Sequence, residues 1–551
     1  MMNDTCFQSL ISRLVVLLSP LFLVPSSFCV GGESAPWWIG LDDSSLPGRE
    51  EAVEVVIDHA LAQKLTDVGI APAEPASPET LLRRLTLDLV GRIPTLAESG
   101  EMPPAVETAD RLLGEPGYER FLAEELNWLL LDGKNGDFRK FLQRAVAQDM
   151  RWDEIFTEVV TARPDSEFRK GVDQFVRERV QDQDKLTNDV SVRFFGVNVS
   201  CAQCHNHPYV KDWTQDTYYG MKSFFSRTFE NGGFVAEREY GLISYKTTEG
   251  EERKPELRFL GGPALTEPEH REPTDEEKKL EKAMFEDLKK KKELPPAPNY
   301  GRRARVIEAG LSGENDDYLA RSLVNQVWNR FFERGLVMPL DQMHGENLPS
   351  HPVLLQWLAR DLVEHDYDLR RLIRGIVLSQ AYQRSSSWES SERPDPELFA
   401  VMTPRPLNPR QYGISIKIGA ANPDYFPANL TPEEWEKRIE QTERNGEGMA
   451  RWFQRPGGTF HFSVDEALYF SNSDDARNQA LNGGLVSHLE GLKTVPEQIE
   501  SAYRSVLSRH PEQDEIDLFS QYLSARTGQT KEALGQMVWT LITSSEMRFN
   551  H

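Results

Sequence analysis

Apolar residues recur with helical spacing along most of this chain. In LLRRLTLDLVGRIPT, Leu82, Leu85 and Leu89 form one stripe, and Gly91 with Pro94 predicts where that helix ends. The same period returns in DDYLARSLVNQVWNRFF and holds to the C terminus. The sequence therefore predicts a mainly α fold.

Residues 231–300 interrupt the helical pattern. The stretch FVAEREYGLISYKTT alternates large apolar with polar residues and predicts a β-hairpin, with ELRFLGG as a third strand. A densely charged stretch follows, which predicts a solvated helix and linker. A chain of 551 residues exceeds what one hydrophobic core usually serves. We therefore predict two helical domains, residues 48–230 and 301–551, with the hairpin and the charged linker between them.

The N-terminal residues 1–31 have the pattern of a signal peptide. Arg13 precedes the apolar run LVVLLSPLFLV, and a polar stretch of small residues follows it. A run of that length cannot span a bilayer, and no later run is long or apolar enough to do so. We expect an exported protein, periplasmic or at the cell surface, with no integral membrane span once the signal is removed.

The formal net charge of -24 argues against a nucleic-acid partner, because binding phosphates requires a basic surface. A strongly acidic surface favours solubility and suits docking to a basic redox partner protein.

Cysteine usage singles out one short segment, SCAQCHNHPYVKDW. Of the four cysteines, Cys6 and Cys29 lie in or beside the predicted signal, so the mature chain keeps Cys201 and Cys204. Covalent haem attachment requires two thiols that add to the two vinyl groups of the porphyrin, and an imidazole beneath the iron. The motif Cys201-Ala-Gln-Cys204-His205 supplies all three and predicts haem c with His205 as the proximal ligand.

Three other interpretations of the cysteine pair stay open. A zinc site would use Cys201, Cys204, His205 and His207, although structural zinc sites normally join two ligand pairs that are separated in sequence. A redox-active dithiol has the right CxxC spacing but lacks the expected strand before it. A structural disulfide would close a very small loop and contribute little to stability.

Apolar and aromatic residues on both sides of the motif could form a wall that excludes water from a haem, which would raise the reduction potential of the iron. The same residues are equally suited to an ordinary core. They are Phe194, Phe195 and Val197 before the motif, and Tyr218, Met221 and Phe225 on one face of the following helix, for which Thr214 is a suitable N-cap.

The distal side of the iron has two candidate ligands, Met221 and His351. Thioether ligation is common in c-type cytochromes, which favours Met221, although a methionine on an aromatic stripe also suits a core position. His207 lies only two residues from His205 and can hardly reach round the porphyrin.

A polar loop, PLDQMHGENLPSHP, is a second candidate site. Asp341, His344, Glu346 and His351 offer metal ligands or an acid and a base, while Ser350-His351-Pro352 is also typical of a helix start. Met343, His344 and His351 would approach the haem motif only if the second half of the chain packs over it.

Two stretches of the chain resemble known families. LLRRLTLDLVGRIPT followed by SCAQCHNHPYVKDWTQDTYYGMKSFF resembles the planctomycete cytochrome-associated domain of unknown function. YLARSLVNQVWNRFFERGLVMPLDQMHGENLPSHPVLLQWLARDL resembles the planctomycete-specific partner domain that usually follows it. The resemblance implies an exported, mainly helical protein with a CxxCH motif and a largely unassigned role. The chain departs from the family at DQMHG, where relatives usually show Asp-Asp-Phe-Gly, whereas His351 matches.

These observations favour an exported c-type cytochrome-like protein with covalent haem, which works in electron transfer or has another redox role. The alternative is a haem-free periplasmic or surface component, with a disulfide or zinc at the cysteine pair, that assists polysaccharide processing. A hydrolase that uses the loop from Asp341 to His351 is a third hypothesis, and the sequence names no substrate for it.

Overall fold

A computed structural model describes residues 41, 46–100, 102–134, 136–268, 271–312, 317–455 and 474–551. The predicted signal peptide, residues 1–31, lies outside the described residues. The mainly α fold predicted from the sequence is confirmed. The helices are α1 (Val53–Val68), α2 (Pro78–Val90), α3 (Ala105–Leu113), α4 (Pro116–Leu131), α5 (Asp137–Ala147), α6 (Trp152–Thr161), α7 (Gln174–Arg177), α8 (Gln183–Phe195), α9 (Gln215–Ser223), α10 (Asp275–Lys291), α11 (Arg302–Leu311), α12 (Tyr318–Phe332), α13 (Pro352–Glu364), α14 (Leu369–Leu378), α15 (Gln380–Gln383), α16 (Pro409–Gly419), α17 (Pro432–Ala450), α18 (Asp474–Leu481), α19 (Leu485–Gly491), α20 (Val495–Val506), α21 (Gln513–Ser524), α22 (Thr530–Ile542) and α23 (Ser545–Arg548).

Local sequence signals account for several helix ends. The Ser77 side chain accepts a hydrogen bond from the Thr80 N–H at the start of α2, and Gly91 ends that helix with a left-handed φ of 73°. Thr214 caps α9 in the same way, as predicted, by accepting from the Thr217 N–H. Pro352 is the first residue of α13, so the predicted helix start after His351 is confirmed.

Six short strands form three antiparallel pairs in the described part of the chain: β1 (Thr228–Asn231) with β2 (Phe234–Glu237), β3 (Tyr245–Lys246) with β4 (Glu252–Arg253), and β5 (Arg405–Pro406) with β6 (Phe549–Asn550). The prediction of one hairpin over residues 234–248 was wrong. Gly232 and Gly233, with φ of 66° and 94°, form the turn that pairs β2 with the preceding strand instead. The predicted third strand, ELRFLGG, contributes only an isolated bridge between Arg258 and Ala264.

The charged stretch contains the predicted solvated helix. Thr274 and Glu277 form a capping box at the start of α10, and Phe285 is its one buried residue. The Phe285 ring packs edge-on against Phe229 of β1, with centroids 4.9 Å apart. The linker is therefore docked on the first strand pair.

The hydrophobic core divides after Met402, not at the linker. One cluster runs from Val53 to Met402 and so joins residues from both predicted helical domains. A second cluster runs from Leu407 to Met547 and includes Leu87 and Ile93. The second predicted domain therefore contributes to both cores. Its helix α12 lies in the first core and contacts α8 of the first predicted domain, whereas α16 and α20 lie in the second core.

In the described residues, no helix combines the length and the hydropathy that crossing a membrane requires.

Candidate functional site around the cysteine pair

Cys201 lies within a short 3₁₀ turn that begins a few residues after α8, and Cys204 is the residue directly after that turn. The turn spans Val199–Gln203, and the Asn198 side chain accepts from the Ser200 N–H at its start. Side chains three residues apart eclipse one another in a 3₁₀ helix, so Cys201 and Cys204 share one face. Both thiols are exposed and are not joined in a disulfide. The pair is therefore accessible to a bulky reagent or cofactor.

His205 follows on the same exposed surface. Its Nδ1 lies 2.8 Å from the carbonyl oxygen of Asn206. A carbonyl only accepts hydrogen bonds, so this contact places the ring proton on Nδ1 and leaves the lone pair on Nε2. An imidazole held in this way is prepared to bind a metal through Nε2.

The first residue of α9 fixes the carboxyl side of the motif. The Gln215 side-chain amide donates to the carbonyl of Cys204 at 3.2 Å and to that of Gln203 at 3.4 Å. The Gln215 backbone N–H donates to the Asn206 side chain at 2.9 Å. These three hydrogen bonds hold the backbone of the cysteine turn against the buried start of α9.

Tyr219 of α9 interacts electrostatically with Cys204. Burial raises the pKa of the Tyr219 phenol, and the charges of Asp184 and, to a smaller extent, Cys204 raise it further. The Tyr219 ring stacks on Tyr245 of β3 with centroids 4.0 Å apart and an interplanar angle of 9°. Neither residue was predictable from the sequence pattern, because Tyr219 lies off the apolar stripe of α9 and Tyr245 is distant in sequence.

The predicted aromatic wall belongs to the core instead. Phe194 and Phe195 pack with Phe156 at centroid distances of 4.9 and 5.5 Å. The Tyr218 hydroxyl donates to the carboxylate of Asp184. Burial alone would raise the pKa of Asp184, but hydrogen bonds from Lys222 and Tyr218 outweigh it and lower that pKa.

Met221 is not brought to the cysteines. Its side chain is fully buried in the main core. Residues two apart in an α-helix differ by about 200° in direction, so Met221 lies on the side of α9 opposite Tyr219. The thioether proposed as a distal ligand therefore faces away from Cys204.

His344 from the second half of the chain does reach the motif segment. The His207 ring contacts Trp213 edge-on at 5.3 Å, and Trp213 contacts the His344 ring at 4.8 Å. Burial lowers the pKa of His344, and the neighbouring His207 lowers it further.

Nδ1 of His207 accepts a hydrogen bond from the Val210 N–H at 2.9 Å, so the ring proton of His207 lies on Nε2. His207 in this tautomer lacks a free lone pair for zinc.

The loop after α12 pairs with the residues just before the cysteines. Val197 forms a β-bridge with Gln342, and the Met343 N–H donates to the carbonyl of Gly196 at 2.9 Å. The Met343 side chain is fully buried. The second half thus packs beside the motif through its backbone, and this thioether too lies in the core.

His351 lies elsewhere. Its ring packs 5.7 Å from Phe399, which in turn contacts Phe332 at the end of α12. Gly196 instead approaches Ser322, ten residues earlier on the same helix, which corresponds to about 15 Å along its axis. The structure therefore does not bring His351 to the cysteines.

The described residues contain no group of three or more His, Cys, Asp or Glu side chains arranged to hold a metal ion. The polar loop accordingly does not assemble Asp341, His344, Glu346 and His351 into one site of that kind.

Comparison with known families gives two matches in order along the chain. Residues 56–230 match the family PSCyt2, described as a protein of unknown function (DUF1549). Residues 304–416 match PSD1, also described as a protein of unknown function (DUF1553). The chain carries a PSCyt2 region followed by a PSD1 region. The cysteine pair lies in the PSCyt2 region, and His344 and His351 lie in the PSD1 region. No curated protein and no solved structure matches the chain.

Proposed function

We propose that this protein is an exported c-type cytochrome-like protein that works in electron transfer. Cys201 and Cys204 would hold the porphyrin through thioether bonds, and His205 would bind the iron through Nε2. The haem would supply a one-electron redox centre. One observation carries the proposal. The exposed turn presents the free thiols of Cys201 and Cys204 beside the His205 imidazole, whose Nδ1 is hydrogen-bonded to the Asn206 carbonyl oxygen.

The surroundings support a haem at the surface of the protein. Cys201, Cys204 and His205 are all exposed, and neither distal candidate lies beside them. The second axial position would therefore take a ligand other than Met221 or His351. Solvent exposure of a haem lowers its reduction potential relative to a buried one, so we expect a lower potential than a water-excluding wall would give.

Charge and targeting support a role at the cell surface or in the periplasm. The apolar run after Arg13 suits an export signal, and export exposes the chain to the compartment where haem c is attached. The net charge of -24 favours a basic redox partner. The mass of the exported protein tests the predicted cleavage near residue 31.

Covalent haem content decides the proposal. The chain is produced with a cytochrome c maturation system, and its intact mass and pyridine haemochrome spectrum are measured. We expect one covalent haem per chain, and loss of covalent haem in the double variant Cys201→Ser with Cys204→Ser. His205→Gln changes the absorption spectrum, whereas His207→Gln, two residues away, is the matched control and leaves it unchanged. A colourless wild-type protein with a disulfide or one equivalent of zinc would establish the haem-free alternative instead.

A further inference from the structure

Helix α10 keeps an apolar stripe on its solvent face. Leu280 and Met284, which are one turn apart, are 72% and 40% exposed, and the partly exposed Leu288 continues the stripe. Phe285, about 100° round the helix from Met284, is the one buried residue of α10. The fold therefore uses one side of this helix and leaves the apolar residues of the other side in water.

The two ends of the stripe carry opposite charges. Residues 275–277 are all acidic, and residues 289–291 are all lysines. Glu276 and Lys290 have no ion-pair partner among the residues that the structure describes. The order of the charges suits the dipole of a single helix. It also makes α10 complementary to a second copy that runs in the opposite direction, because each acidic end then lies beside a basic end.

The helix is a neutral area on an acidic protein. Residues 271–293 carry eight Lys or Arg and eight Asp or Glu, whereas the whole chain has a net charge of -24. Two copies of an acidic protein repel each other, and salt limits the range of that repulsion to about 8 Å at physiological ionic strength. At α10 a second copy can approach without meeting an excess of like charge.

We propose that α10 pairs with α10 of a second copy of this chain in an antiparallel, two-fold symmetric contact. With the axis near the helix centre, Leu280 and Met284 of each copy pack against those of the other. Glu276 of each copy then lies beside Lys290 of the other. A parallel pair would place acid beside acid and lysine beside lysine, so the charges select the antiparallel direction. This contact does not depend on the proposed haem.

The contact is small. α10 has 17 residues and is therefore about 25 Å long, so one helix pair lies at the low end of specific interfaces. We expect a dimer with a Kd of roughly 10–100 µM.

Sedimentation velocity of the full chain measures this association over roughly 1–300 µM protein at an ionic strength of about 0.15 M. Leu280→Gln keeps the helix propensity but removes an apolar contact twice per dimer, so we expect association to be weakened about tenfold or more. Leu518→Gln is the matched control, because Leu518 is 63% exposed on α21, outside α10, and its loss should leave the Kd unchanged.

Exchange of the unpaired charges tests the direction of the pair. Glu276→Lys and Lys290→Glu each place like charges together at both ends, so each variant alone should associate about three- to tenfold more weakly. An equimolar mixture of the two variants places opposite charges together at both ends and should form a heterodimer with the wild-type Kd. Recovery in the mixture also shows that both variants are folded.

Three results would overturn the proposal. The wild type remains monomeric over the whole concentration range, Leu280→Gln associates as tightly as the wild type, or the mixture of charge variants associates no more tightly than each variant alone.

Discussion

Asn198 is bonded to Asp341 at two points: its backbone N–H donates to the Asp341 carbonyl, and its side-chain amide donates to the Asp341 carboxylate, each at 2.8 Å. Asn198 also caps the turn that carries the cysteines. The PSD1 loop therefore holds the backbone of the PSCyt2 motif, three residues before Cys201. The two matched regions therefore contact each other at the turn that carries the cysteines.

Removing the Asp341 carboxylate should loosen the motif turn. Asp341→Ala deletes one charge-assisted hydrogen bond at a half-buried position, so we expect a loss of about 1 kcal/mol in the free energy of unfolding. Hydrogen exchange at residues 197–204 should become faster. Asp341→Asn keeps an oxygen acceptor and should lose less. Equal exchange rates in both variants and the wild type would show that the contact does not order the turn.

Local sequence signals were sufficient to predict several helix ends. Thr214 precedes an apolar period, and a hydroxyl at that position caps a helix wherever the helix packs. Gly91 follows such a period and ends its helix in the left-handed conformation. Cys201, Cys204 and His205 are adjacent, so one turn presents them whatever surrounds it.

Contacts between distant segments were not predictable from the same signals. Asn198 and Asp341 are 143 residues apart, and neither interrupts a local pattern. Tyr219 lies off the apolar stripe of its helix, so the helical period gives no sign that it packs against another residue. Its stacking on Tyr245 of β3 is visible only in the structure. A helical period indicates which face is buried, and it does not identify the partner.

The first strand pair should depend on a buried carboxylate. Glu237 of β2 is paired with Arg303 at 3.2 Å and accepts from the N–H groups of Arg302 and Arg303 at the start of α11. Glu237→Ala leaves Arg303 buried and uncompensated, so we expect a loss of about 3–5 kcal/mol.

Urea denaturation measures this loss. Glu237→Gln keeps an acceptor for the N–H groups and should lose less. Glu251→Ala removes one partner of an exposed pair with Arg253 and should change the free energy by less than about 0.5 kcal/mol. A Glu237→Ala variant as stable as Glu251→Ala would contradict the burial of this pair.

His351 should make stability fall in acid. Burial, with a smaller contribution from Lys64, lowers the pKa of His351 to about 4. The unfolded chain, in which the pKa is near 6.5, then binds a proton that the folded chain does not bind between these two values. The free energy of unfolding therefore has its full value above about pH 6.5 and decreases as the pH falls towards 4. The total decrease from this one imidazole is about 3 kcal/mol.

The difference between wild type and His351→Gln isolates this contribution, because carboxylates that titrate in the same range affect both proteins. In urea titrations between pH 7.5 and pH 4, the unfolding free energy of the wild type should fall by about 3 kcal/mol more than that of His351→Gln. Curves that stay parallel over the whole range would contradict a buried, neutral imidazole at this position.

Gly196 should be the most sensitive backbone position near the motif. It ends α8 with a left-handed φ of 67°, and an added Cβ would lie 3.1 Å from the Ser322 hydroxyl and 3.2 Å from the Leu340 carbonyl oxygen. Gly196→Ala therefore combines backbone strain of about 1 kcal/mol with crowding against α12 and the PSD1 loop.

Gly250→Ala is the matched control, because φ there is 86° and no atom lies within 4 Å of the added Cβ. We expect both variants to be destabilised in urea, with Gly196→Ala the more so, and only Gly196→Ala to speed hydrogen exchange at residues 197–204. If the two variants lose the same free energy, the close approach of α12 to this turn contributes nothing, and the PSD1 loop holds the cysteine turn through the Asn198 and Met343 hydrogen bonds alone.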